Sequence, residues 1–444
     1  MLLAVCALVS CQNREEEKGD SEILRLPLTF VEGFGPFYAS TSFLGAENPT
    51  DTGFWSKTYL PVTGIPKAWK LVDKSMVWLD VQQLIYQNYQ AGNLREEEFA
   101  QFKKSSEWEP NPKELPDKPI KCFVYVIRGR DEKGKAAVMV DTDNDLDFSD
   151  EIPFYPEKAY KENYSSVGAY QEKEKRYFTY EVYEEGRVIA KRIPIVIKRM
   201  PAEPAGNDFR YYFPLHAQTT LNVNGGTYKI AIPGGASIPS FESSSMVVLE
   251  KDSAHIYEFP EQIQKGDLIT VGHLLNKIEY RNKGVSVYHN ALELEGNDVD
   301  EQEYSLQAGH PFKPFTAKEF QTGQTIALAD YQDKYLFIDF WGTWCKGCVQ
   351  ELPKLQRIYK GVDKQRVEFV SIAGHQSPEL LEKFLKKRPL AWPQIISDDE
   401  NKLIETYKIT SFPTNVLVGP DGRVVSRNLH GEVLERKLAE LTGK

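Results

Sequence analysis

Tyr335-Leu336-Phe337-Ile338-Asp339-Phe340-Trp341 leads, through Gly342 and Thr343, into Trp344-Cys345-Lys346-Gly347-Cys348, and this stretch decides how the C-terminal part of the chain is read. The first run is almost wholly apolar and short, as a strand buried on both faces is. Two cysteines separated by two residues, where such a strand passes into a helix, can close a disulfide or stand open as a dithiol. A Cys in the first turn of a helix faces unpaired backbone N–H groups and the positive end of the helix dipole, which favours its thiolate. Thiol–disulfide exchange needs a thiolate to attack a sulfur and a second thiol to release the mixed disulfide. Cys345, nearer the strand, is the expected exposed nucleophile, and Cys348, a turn deeper, the resolving thiol. Lys346 adds a positive charge that lowers the thiol pKa further.

Neighbouring residues answer other needs of that chemistry. Asp339 lies on the strand among apolar residues; a carboxylate buried there has a raised pKa and can take a proton from Cys348 as it attacks. Glu351, three residues beyond Cys348 on the same helical face, is a second candidate for this duty. Pro353 falls inside the helical pattern and is expected to kink it. Phe412-Pro413-Thr414 precedes a strand, where a cis peptide can bring backbone groups close to the sulfurs. Trp341 and Trp344 read as partly core and partly apolar rim, with Lys346, Gly347 and Phe412 around them. A structural zinc site needs about four ligands; Cys122 is isolated and no two histidines share a ligand-like spacing, so zinc is disfavoured.

Around this segment strand and helix patterns alternate: a helix from Lys346 toward Tyr359, a strand Val367 to Ala373, helices Pro378 to Lys387 and Asp399 to Tyr407, strands Thr414 to Val418 and Val424 to Asn428, and a closing amphipathic helix Glu432 to Leu441. Such alternation implies a sheet covered by helices. The segment Phe340 to Cys348 with Glu351-Leu352-Pro353, the helical insert from His375 to Pro393, and Phe412-Pro413-Thr414 together resemble the TlpA/ResA-like thiol–disulfide oxidoreductases of the thioredoxin fold. The resemblance runs from about Ala308 to Lys444. It implies Cys345 as nucleophile, Cys348 as resolving thiol, Pro413 as cis-proline, Asp339 as buried acid and Glu351 as the family's active-site glutamate. Lys346-Gly347 departs from the usual Gly-Pro or Glu-Pro, which leaves the direction of electron flow open. Peroxiredoxins share the fold, but they carry one cysteine in a Thr-x-x-Cys setting without a partner two residues away, unlike Trp344-Cys345-Lys346-Gly347-Cys348.

A chain of 444 residues predicts at least two folded units, and 41% hydrophobic with 27% charged residues reads as ordinary globular protein. The net charge of -10, without a concentrated basic patch, argues against nucleic acid as a partner. The five cysteines are too few for a disulfide-stapled scaffold, so the close pair is expected to work rather than brace. Met1 to Ser10 is apolar but too short to span a bilayer, which takes about 20 residues. It matches the hydrophobic part of a signal peptide. Leu8-Val9-Ser10-Cys11 resembles a bacterial lipobox, better than the surroundings of Cys6 do, and predicts lipidation at Cys11 followed by the polar tether Gln12 to Ser21. The expected location is the cell envelope, on the periplasmic side, with a lipid anchor in the outer membrane.

Between Ile23 and Asp300 the patterns predict mostly strands: Ile120 to Ile127, Ala136 to Val140, a hairpin from Tyr177 through Glu184-Glu185-Gly186 to Ile197, and another around Asn224-Gly225-Gly226. A helical stretch is expected from Val81 to Trp108, broken at Ala91-Gly92-Asn93. Glu293 to Glu303 is acidic and reads as the domain boundary. Asp141, Asp143, Asp145, Asp147, Asp150 and Glu151 follow an apolar strand on a short loop. Carboxylates at alternate positions converge oxygens as Ca²⁺ requires. The loop resembles an EF-hand loop, although Leu146 stands where Gly makes the turn and Ile152 where a bidentate Glu is expected. A solvated acidic turn is the competing reading.

The sequence therefore predicts an α+β multidomain protein: signal peptide and tether over 1–22, a β-rich N-terminal domain over 23–300, and an α/β thioredoxin-like domain over 308–444. The function it predicts is an exported oxidoreductase that reduces protein disulfides through Cys345 and Cys348. It needs no cofactor for catalysis beyond that pair, and a membrane thiol carrier is its expected electron donor. The alternative is a lipoprotein whose N-terminal domain captures a partner or ligand, with the redox domain an accessory.

Overall fold

In a computed structural model, the residues described are 23–37, 41–48, 50–106, 108–156, 175–199, 209–234, 245–249, 262–272, 277–297 and 303–443. The expected signal peptide, Cys11 and the tether lie outside them. No helix among the described residues is long and apolar enough to cross a membrane.

Residues 335–427 carry a five-stranded sheet: β1 (Tyr335–Trp341), β2 (Val367–Ala373), β3 (Gln394–Ile396), β4 (Thr414–Val418) and β5 (Val424–Arg427), in spatial order β3-β2-β1-β4-β5. β1 runs parallel to β2 and antiparallel to β4; β4 and β5 pair antiparallel. The helices are α1 (Lys346–Gly361), α2 (Pro378–Lys387), α3 (Leu403–Thr406) and α4 (Gly431–Thr442).

Strand periodicity sorts β1 onto two cores. Leu336, Ile338 and Phe340 pack with Phe312, Phe315, Leu403, Ile404 and Tyr407. Phe337 and Trp341 pack on the opposite face with Cys345, Cys348, Leu352 and Leu355 of the α1 segment, and with Leu434 and Leu438 of α4. Asp339 shares the period-two face of Phe337 and Trp341, so one polar side chain enters the layer beneath α1. This is the thioredoxin-like architecture the sequence predicts. One element is shorter than expected: of Asp399 to Tyr407 only Leu403–Thr406 is helical. Asp398 accepts hydrogen bonds from Glu400 N and Asn401 N, holding that stretch in a turn.

The described residues between 23 and 297 are strand-rich. They form three four-stranded sheets and one three-stranded sheet, and residues of all four share one hydrophobic cluster. The broken helical stretch is present as Val81–Gln90 and Glu96–Ser106. Glu293 to Asn297 is not linker, contrary to the boundary reading. It belongs to the strand Ala291–Asn297, paired with Ile23–Pro27, and it buries Leu292 and Leu294 while Glu293 and Glu295 point away. Acidic residues at alternate positions hid a strand whose other positions are leucine. This body meets the five-stranded sheet at a buried ion pair: Arg427 Nη1 donates to Asp267 Oδ1 (3.0 Å), and Nη2 to Oδ2.

Candidate redox site

β1 ends at Trp341 and α1 begins at Lys346, with Cys345 as N-cap. Cys345 and Cys348 are joined as a disulfide. Cys345 Sγ also accepts the backbone N–H of Cys348 at 3.1 Å, as a capping side chain does. Cys345 is the more accessible of the two, 7% against 2%, but it is not exposed as the sequence predicts. Joined to Cys348, it is drawn into the core layer that contains Leu352 and Leu355.

The turn before the cysteines is fixed from outside. Thr343 N and Oγ1 both donate to Gln376 Oε1 (2.8 and 2.7 Å), and Trp344 Nε1 donates to Gly374 O (3.1 Å). A Cβ on Gly342 would come within 2.6 Å of Trp344 Nε1, so the absence of a side chain there seats the indole. Trp344 is 54% exposed, with the Phe412 ring edge-on to it at 5.3 Å and His375 on Phe412 at 5.6 Å. Together these rings make an aromatic cluster next to the cysteine turn. Trp341 is fully buried and belongs beneath the site, not on its rim; as the last residue of β1 it faces Phe384 of α2.

The Phe412-Pro413 peptide is cis, as expected. Pro413 stands against the redox turn: a Cβ on Gly347 would lie 3.7 Å from its Cδ. Lys346 and Gly347 are exposed on the first turn of α1.

Beneath the helix tip, Asp339 is 4% exposed. Burial pushes its pKa up to about 7; the nearby His430 pulls it down and the charge of Glu351 pushes it up. Glu351 is held below its ordinary value, chiefly by His430, whose Nδ1 lies 3.5 Å from Oε2, against the opposing effect of burial. Its Oε1 accepts Gly431 N at 2.9 Å. Across the sheet Asp339 is registered opposite Asn415. Asn415 accepts Leu429 N (2.8 Å) and donates to Leu429 O (3.0 Å). The strap Leu429-His430-Gly431 that leads from β5 into α4 is thus pinned at both ends around His430. Sequence reasoning missed Gln376, Asn415 and His430, which carry no motif and lie far along the chain from the cysteines.

In the acidic loop, the structure brings three of the six predicted ligands together: carboxylate oxygens of Asp141, Asp143 and Asp145 lie within 4.8 Å of one another. Asp141 is buried and accepts Asp145 N and Leu146 N; its pKa is raised by burial to about 6. Leu146 takes φ +70° itself, the conformation for which Gly is usual. Asp147 bonds Ser149 and Glu151 bonds Thr142, so those two carboxylates hold the loop, and Asp150 is exposed outside the cluster.

A paired cysteine at a helix N-terminus, a buried carboxyl beneath it and a cis-proline beside it make a candidate thiol–disulfide exchange site on a thioredoxin-like fold. Comparison with known proteins agrees. The AhpC/TSA family model matches residues 308–427. The thiol-disulfide oxidoreductase ResA of Bacillus thuringiensis subsp. konkukian is 29% identical over 143 residues, 32% of this chain and 81% of that protein. ResA of Bacillus cereus strain ZK is 30% identical over 131 residues, 30% of this chain and 75% of the relative. Among solved structures, a putative thiol-disulfide oxidoreductase from Bacteroides vulgatus is 29% identical, covers 31% of this chain and 93% of its own, and has a TM-score of 0.28. Through its C-terminal domain the chain belongs to the ResA-like thiol-disulfide oxidoreductase family. It is an enzyme of thiol–disulfide exchange.

Proposed function

We propose that Cys345 and Cys348 are the redox pair, and that the protein is exported, anchored by lipid at Cys11, and reduces disulfides of other proteins in the cell envelope. The observation that carries this reading is the Cys345–Cys348 disulfide capping α1, with Trp344 exposed next to it. Once reduced, Cys345 attacks a client disulfide as the thiolate that the helix N-terminus stabilises. Cys348 then resolves the mixed disulfide, giving its proton to Asp339, whose raised pKa suits a base working near neutrality. Trp344 and Phe412 offer an apolar seat for the client, and Pro413 faces the turn so that client backbone can lie against it. A membrane thiol carrier restores the dithiol, and no further cofactor takes part.

Two variants test the pair. Cys345→Ala loses insulin-disulfide reduction, whereas Cys348→Ala accumulates mixed disulfides with clients. Wild-type rates in both variants would remove the proposal. The anchor is tested separately, by fatty-acid labelling that Cys11→Ser abolishes.

A further inference from the structure

The buried acid raises a question that the cysteines do not answer. A carboxyl that takes a proton from Cys348 must return it to water before the next turnover, yet Asp339 is closed in beneath α1. Asp339 is electrostatically coupled to Glu351 and His430, and the side chain of His430 is 41% exposed. A solvent-open cleft of about 490 Å³ begins there, lined by Pro353, Lys354, Arg357, His430, Gly431 and Glu432. The placement is built: Asn415 clamps Leu429 on one side of His430, and Glu351 accepts Gly431 N on the other.

We infer that His430 is a positioning residue of the redox site, which from the mouth of this cleft holds Glu351 and Asp339 ready to receive the Cys348 proton and gives that proton a route to solvent. The inference rests on the reading of Cys345 and Cys348 as the redox pair. The charged groups around His430 are Asp339 on β1, Glu351, Lys354 and Arg357 on α1, Arg427 on β5, and Glu432 and Glu435 on α4. Arg427 is engaged by Asp267 and Arg357 by Glu435. Lys354 and Glu432 line the same cleft, and Glu351 and Asp339 are the acids on which His430 acts.

Asp339 carboxylate takes the proton of Cys348, and the new thiolate attacks Cys345 Sγ in the Cys345–client disulfide. The Cys345–client bond breaks, the Cys345–Cys348 bond forms, and the client leaves as a thiolate that is protonated by water. Two electrons have passed from the enzyme dithiol to the client disulfide. Asp339 then releases its proton past Glu351 and His430 into the cleft.

A protonated imidazole at position 430 favours the ionised acids, so removing that group raises the pH at which Asp339 can serve as base. The test is stopped-flow reduction of the disulfide 5,5′-dithiobis(2-nitrobenzoate) by the pre-reduced full chain. The first equivalent of coloured thiolate reports attack by Cys345 and the second reports resolution by Cys348. In His430→Gln the second phase is expected to slow roughly three- to tenfold at pH 7, recover by pH 9, and show its inflection up to about one unit higher. His430→Lys, with a fixed charge, keeps the inflection at or below the wild-type position. An inflection that is the same in wild type, His430→Gln and His430→Lys overturns the inference, as does a uniform slowing of both phases at every pH. A wild-type second phase that survives Cys348→Ala would instead sink the redox-pair reading itself, so the two failures are told apart.

Discussion

Asp339→Asn separates what the buried acid does for stability from what it does for chemistry. The carboxyl would ionise near 3.8 in an unfolded chain but holds its proton to about 7 in the folded one. Its stabilising protonated state is therefore fully present below pH 4. Stability is lost as the pH rises from about 4 to 7, because only the unfolded chain gains by releasing the proton. Three pKa units at about 1.4 kcal/mol each put the loss at about 4 kcal/mol at neutral pH, a ceiling that relaxation around the ion lowers. Asparagine has nearly the same shape and no proton to lose. The expected result is a variant whose stability relative to wild type improves between pH 4 and pH 8 by about 2–4 kcal/mol. In a domain of this size that is roughly 8–15 °C in melting temperature. The assay is calorimetry of the oxidised full chain at pH 4, 6 and 8, following the transition that moves when reductant is added. The pH dependence of the difference is the readout, since any fixed loss from burying an amide cancels. The same variant must slow the resolving phase. Parallel pH profiles, differing by less than about 1 kcal/mol, would show that Asp339 is not a buried acid of raised pKa and would withdraw its role as base.

Arg427→Met removes one partner of the buried pair with Asp267 and leaves that carboxylate without its counter-ion, so denaturant unfolding should show a loss of about 3–5 kcal/mol. Restoring most of that loss with Asp267→Leu in the same chain would confirm the cause, and a loss below about 1 kcal/mol would contradict the buried placement. The acidic loop answers to chelation. With the oxygens of Asp141, Asp143 and Asp145 within 4.8 Å, millimolar Ca²⁺ is expected to raise the melting temperature over excess chelator, and Asp143→Asn to shrink that rise. Identical melting in both solutions retires calcium in favour of the solvated turn.

The C-terminal fold was legible because its signals are local. Seven residues of β1 give the buried strand, two cysteines three positions apart mark the helix start, and Phe412-Pro413-Thr414 marks the approach to β4. Asp339 stood out as one carboxylate in an apolar run. His430, Asn415 and Gln376 could not be read the same way. Each acts through a contact across the sheet or along its edge, and the type of residue alone does not reveal a long-range partner. Misreadings had equally definite causes. At Glu293 to Asn297 the charge pattern masked alternation with leucine, and at Asp398 to Asn401 side-chain hydrogen bonds to backbone N–H groups outcompeted helix. Trp341 precedes the site in sequence, but the strand's face, not its nearness to Cys345, sets its burial.

The redox site reconciles demands that conflict if one element must meet them all. A thiolate is favoured at a helix N-terminus open to a visiting protein, whereas an acid that holds its proton near neutrality has to be buried. β1 resolves the conflict by periodicity, because its alternate residues reach under α1 while its end leads to the helix tip, where the cysteines lie beside exposed Trp344. Burial then isolates the acid from water, and the residues that answer it lie on β4, on α1 and just past β5. Asn415, registered beside Asp339, fixes Leu429, and Glu351 fixes Gly431, so the residue between them is held at the mouth of the cleft. If proton exit were instead by diffusion through the breathing core, nothing would require two independent clamps on three consecutive residues. The phase of disulfide reduction that belongs to Cys348 would then be indifferent to the charge at position 430.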